Sequence, residues 1–86
     1  MDFEFKQTRH YVARGARPDV ETGREYILIK ASMSLHATYQ VRLLAFMAQR
    51  DGRKLRIIMR PGSKLEPDLR DLKRELGNLI RIERKA

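Results

Sequence analysis

Lys54-Leu55-Arg56-Ile57-Ile58-Met59-Arg60-Pro61-Gly62-Ser63 is the stretch that sets the fold class. Leu55, Ile57 and Met59 alternate with the charged Lys54, Arg56 and Arg60, the period-two pattern of a strand. Ile58 puts an apolar residue on the polar side, so the pattern predicts a strand covered on both faces. Pro61-Gly62-Ser63 then stops it. Downstream, Leu65, Leu69, Leu72 and Leu76 follow a helical stripe on a segment opened by Pro67-Asp68 and ended by Gly77-Asn78. Ile80 and Ile82 alternate with Arg81 and Glu83 to give a closing strand, Leu79 to Arg84. Strand, helix and strand in this order predict a parallel, right-handed crossover.

Upstream, apolar residues recur at helical spacing from Leu35 (Val41, Leu44, Ala45, Ala48, with Tyr39, Leu43, Phe46 and Met47) until Asp51-Gly52. Ser34 stands where a cap would. This helix is apolar around most of its circumference, which makes it the core element. Before it come a strand, Glu25 to Lys30, a hairpin loop at Glu21-Thr22-Gly23-Arg24, and a short strand at Asp19-Val20. Arg14 to Pro18 reads as a turn and Phe3 to Val12 as a first strand. The predicted order is β-β-β-α-β-α-β: one α/β domain over residues 1–86, a mixed sheet flanked by helices.

The chain has 86 residues, 42% hydrophobic and 35% charged, with 19 Lys and Arg against 11 Asp and Glu, a net charge of +8. So short a chain buries only about 60–65% of its unfolded surface, so its core is marginal and a second copy in a homodimer would support it. It has no cysteine, which excludes a disulfide framework, a cysteine zinc site and a cysteine nucleophile. The longest apolar run, Val41 to Ala48, is broken by Arg42 and falls far short of the ~20 residues of a span. Met1-Asp2-Phe3-Glu4 lacks the basic-then-apolar order of a leader. The reading is a soluble, cytoplasmic domain with no membrane partner.

The positive surplus favours a polyanion, nucleic acid first, because each cation that neutralises a phosphate releases counterions. Arg14, Arg17 and Arg24 around the hairpin, and Arg53, Lys54, Arg56 and Arg60 around the later strand, are the residues placed to grip a backbone. His10 and His36 lack metal-ligand spacing. Ser34 and Ser63 read as cap or turn residues, without a His and Asp to make either a nucleophile.

Arg17-Pro18-Asp19, Tyr26-Ile27-Leu28-Ile29-Lys30-Ala31-Ser32, Thr38-Tyr39-Gln40 and Arg60-Pro61-Gly62-Ser63-Lys64-Leu65 together resemble the PD-(D/E)xK nuclease superfamily, in particular the restriction-endonuclease-like toxin domains of bacterial polymorphic toxins. The resemblance runs from about Val12 onward. It implies a restriction-endonuclease-like sheet and metal-dependent phosphodiester hydrolysis of DNA or RNA. Asp19 would be the Mg²⁺ ligand, Lys30 would assist the attacking water and Gln40 would support the site. It also implies the cytoplasm of a target cell as destination and an immunity or inhibitor protein as partner. In the family's Glu-x-Lys triplet, Glu and Lys share a strand face and two carboxylates hold the hard cation. Here the Glu position is Leu28, which cannot bind a cation. Glu25 falls on the face opposite Leu28 and Lys30 on a regular strand. The departure implies a weak or inactive enzyme. Two readings without catalysis stand beside it, a basic nucleic-acid-binding or inhibitor module and an oligomerisation module.

Overall fold

The computed structural model describes residues 17–85. The first predicted strand, Phe3 to Val12, and Arg14 lie outside them. The described chain runs β1 (Val20–Glu21), β2 (Glu25–Ile29), β3 (Ser34–Leu35), α1 (Tyr39–Asp51), β4 (Lys54–Met59), β5 (Lys64–Leu65), α2 (Pro67–Leu76), a 3₁₀ turn (Gly77–Leu79) and β6 (Ile80–Arg84). A four-stranded mixed sheet has the order β1-β2-β4-β6, antiparallel between β1 and β2 and parallel across β2, β4 and β6. The α/β class and the order of strands and helices follow the sequence pattern.

Strand alternation decides which side each residue serves. Tyr26 and Leu28 of β2, Leu55, Ile57 and Met59 of β4, and Ile80 of β6 are buried in one cluster with Val41, Leu44, Ala45 and Ala48 of α1 and Leu69 of α2. Both helices therefore pack on the same face of the sheet. The opposite face is polar at its centre. There the Arg56 guanidinium sits between Glu25 (3.2 Å) and Glu83 (3.3 Å), with Lys85 3.4 Å from Glu83. Burial pushes the Glu83 carboxyl up, but Arg56 and Lys85 outweigh it and hold the group below its usual value. Ile27 is buried and Ile58 half-buried on this face, so β4 is shielded on both sides, as its interrupted alternation predicts.

Two predicted boundaries are corrected. Helix α1 starts at Tyr39 and is capped by Thr38, whose hydroxyl accepts from the Val41 N–H at 3.2 Å. Ser34 and Leu35 instead pair in parallel with Lys64 and Leu65, so Ser34 caps no helix and Leu65 stands on a strand ahead of α2. The Leu35 side chain is buried in the core cluster, with 6% of its surface exposed. At the other end of α1, Gly52 takes the left-handed conformation (φ 71°) and its N–H reaches the Ala48 carbonyl.

The C-terminal turn of α1 is tied to β2 by Tyr26, whose hydroxyl donates to Asp51 at 2.6 Å. Arg50 binds the same carboxylate at 2.8 Å, and the Arg53 guanidinium lies 4.8 Å from the centre of the Tyr26 ring. Hydrogen bonds from Arg50, then from Tyr26, hold the Asp51 carboxyl well below its ordinary 3.8, at about 2. A group depressed in the folded state stabilises fully above its unfolded value and loses that contribution as pH falls through the folded one. Asp51→Asn is therefore expected to flatten the stability profile between pH ~4 and ~2, read from urea midpoints across that range. An unchanged acid limb would show that the ionised Asp51, paired with Arg50 and Tyr26, carries no folding energy.

Candidate functional site

The parallel strands β2, β4 and β6 all end at one edge of the sheet, and the start of the antiparallel β1 lies at the same edge. Three of the residues singled out by sequence meet there. Lys30 follows β2 on the helix-facing side, one pleat beyond Leu28, and its ammonium donates to the Gln40 carbonyl oxygen at 2.7 Å. Gln40 lies in the first turn of α1 and donates from Nε2 to the Arg17 carbonyl at 3.2 Å. Asp19 is held from the other side, since its N–H donates to the Ile27 carbonyl at 2.8 Å and its Oδ2 accepts from the Ile29 N–H at 2.7 Å. The Asp19 carboxylate thus prolongs the β1–β2 ladder in place of a backbone carbonyl.

Leu28 is wholly buried, with 0% exposure, inside the core cluster beneath α1. Its neighbour two residues on emerges at the edge while it stays under the helix. Strand parity accounts for both.

The Mg²⁺ implied by the resemblance needs several oxygen donors, with carboxylates foremost. Asp19 is the carboxylate of this cluster, one of its oxygens already accepts a backbone N–H, and Leu28 supplies no donor. Among the described residues no group of three or more His, Cys, Asp or Glu is arranged to hold a metal ion. These residues do not fit the two-carboxylate site.

The basic residues named from sequence divide between the two ends of the sheet. Arg17 and Arg60 stand at the edge that carries Asp19, Lys30 and Gln40. Arg60 is exposed and has no side-chain partner among the described residues. Arg24, Arg53 and Lys54 stand at the opposite edge, because Lys54 donates its N–H to the Arg24 carbonyl at the start of both strands. There Arg53 is bound to Glu21 at 2.6 Å, and the Lys54 ammonium donates to the Asn78 carbonyl at 3.3 Å. Arg56 lies mid-sheet, held by its two carboxylates. Sequence reading passed over Lys85 and Arg84, which reach the Asp19 edge when Lys85 pairs its N–H with the Met59 carbonyl and Arg84 donates to the Ser63 carbonyl at 3.0 Å. Their place directly after the Ile80–Ile82 alternation, at the end of the closing strand, was the available signal.

No helix among the described residues is long and apolar enough to cross a membrane. Comparison with protein-family models, curated proteins and solved structures found no match to this chain.

Proposed function

We propose that this domain binds the phosphate backbone of nucleic acid at the Asp19 edge of its sheet, and binds it without cutting. The observation that carries this reading is the pairing of Lys30 with Gln40 beside Asp19, while the position two residues before Lys30 is an apolar side chain sealed in the core. The layout resembles a PD-(D/E)xK nuclease site in which an apolar, core-packed side chain stands at the position of the second carboxylate. What remains suits an anion. Lys30, Arg60, Arg84 and Lys85 share the edge, Lys85 while also paired with Glu83 at 3.4 Å, and the first turn of α1 faces it with no acidic residue. That helix end carries partial positive charge. The net charge of +8 supplies the long-range attraction.

The test is fluorescence anisotropy with labelled single- and double-stranded DNA and RNA oligonucleotides over 50–200 mM salt. Affinity is expected to fall with a log–log slope of about −3 to −4, as for roughly four neutralised phosphates. Arg60→Ala and Lys30→Ala are each expected to reduce that slope by about one. Arg24→Ala, at the far edge, leaves it unchanged. Incubation of plasmid and total RNA with Mg²⁺ or Mn²⁺ is expected to give no cleavage. Salt-independent affinity, or none, overturns the binding reading, and metal-dependent cleavage abolished by Asp19→Ala would replace it with hydrolysis.

A further inference from the structure

We propose that two copies of this chain join through the outer edge of β6, continuing the sheet across a two-fold axis at Ile82. β6 is the last strand of the sheet order, with β4 on one side and no described strand on the other. Backbone groups of successive strand residues point to alternate sides. The Lys85 N–H reaches the Met59 carbonyl of β4, so Arg81 and Glu83 also turn their backbone groups toward β4. Ile80, Ile82 and Arg84 turn theirs outward; the Ile80 N–H closes the 3₁₀ turn that begins at Gly77, and no described strand pairs with Ile82 or Arg84 on that side. Sheet edges are normally blunted by charged side chains, proline, a bulge or a cover, and the charges of β6 are of both signs, so they oppose a like edge in some registers only. β6 has no proline or glycine, and its backbone is regular.

The charge pattern selects both the partner and the register. Only antiparallel pairing between like edges gives a closed two-fold dimer, and the outward residues of one copy must meet the outward residues of the other. With the axis at Ile82, Ile82 faces its own counterpart and Ile80 faces Arg84, which forms about four backbone hydrogen bonds, the Ile80 N–H being engaged in the 3₁₀ turn. Arg81 then lies opposite the second copy's Glu83, twice over, in the close non-hydrogen-bonded pairing where side chains interact most. Moving the axis one residue toward Arg81 sets arginine against arginine, and moving it toward Glu83 sets carboxylate against carboxylate. Of these three registers, the one centred on Ile82 alone pairs unlike charges throughout. Arg81 is free to serve, with 60% of its side chain exposed and its own-chain contact to Glu83 a long 3.8 Å. The partner that fits is a second copy of this chain, and the inference is independent of what the Asp19 edge binds.

Sedimentation equilibrium of the full chain at 150 mM salt, where charges more than about 8 Å apart are screened, reads the assembly directly. A dimer with Kd below about 100 µM is expected. Arg81→Glu creates two like-charge pairs, retains the buried residues, and is expected to weaken association at least about tenfold. Ile82→Pro deletes an outward N–H that makes no bond to β4 and is expected to give a monomer. Without any substitution, amide exchange at Ile82 is expected to slow as protein concentration rises, while exchange at Glu83 stays constant. A monomer at 500 µM (roughly five times that Kd) overturns the proposal. So does a dimer insensitive to Arg81→Glu in which the Ile82 amide gains no protection.

Discussion

Leu28→Glu is expected to lower folding stability by about 4 kcal/mol, from lost apolar packing together with a carboxylate placed in a sealed core. A domain of this size has roughly 4–13 kcal/mol in total, so the variant stands near the threshold of unfolding. The defect has a pH signature. Burial raises the folded-state pKa of the introduced carboxyl, so the variant loses stability as pH climbs through the unfolded value near ~4.3 and is firmest in mild acid. Urea titrations at pH 4.5 and pH 8 measure the difference. A divalent ion separates ancestry from coincidence. If the introduced carboxylate and Asp19 share an ion, Mn²⁺ at about 100 times its Kd restores roughly 2.7 kcal/mol, and Asp19→Ala in the same background removes the recovery. That recovery is what the nuclease resemblance predicts. Failure of Mn²⁺ to raise the midpoint would dismiss the nuclease resemblance while leaving backbone binding intact.

The second large effect lies on α1. Leu44 has 0% exposure and belongs to the cluster that joins both helices to the sheet. Leu44→Ala is expected to cost about 3 kcal/mol, transfer and cavity terms together, and to lower the thermal midpoint by roughly 12–24 °C. Gln49, exposed on the same helix, is the internal control, since alanine there is expected to be neutral or slightly stabilising. Calorimetry of the two variants decides the matter. A Leu44→Ala midpoint within a few degrees of the parent would remove α1 from the core.

Much of the fold was legible in sequence because β2, β4, α2 and β6 each carry a complete local pattern. The strand read as Lys54 to Arg60 runs Lys54–Met59, and the glycine-ended leucine helix runs Pro67–Leu76. What escaped was settled by contacts distant in sequence. Ser34 and Thr38 are both competent caps, and the choice falls to Thr38 because Ser34-Leu35 is engaged by Lys64-Leu65 some 30 residues away. The candidate site divides the same way. Parity places Lys30 on the side facing α1, where Gln40 waits, but no pattern foretells that the Ile29 N–H takes one Asp19 oxygen. Counting charges likewise does not reveal which are already spoken for. Arg53 and Arg56 contribute to the surplus, yet both guanidiniums are bound to carboxylates.

The parallel run β2-β4-β6 has a kinetic consequence. Tyr26 pairs with Leu55 and Leu55 with Ile80, so each central ladder closes a loop of roughly 25–30 residues before its first bond forms. The one hairpin among the described residues, β1–β2, registers only two residue pairs and is too slight to nucleate alone. Folding must therefore wait for a collapse that brings α1 over three strands at once. That places this domain among the slower-folding chains of high contact order, whose central strand stays unpaired and prone to intermolecular capture until the search is complete.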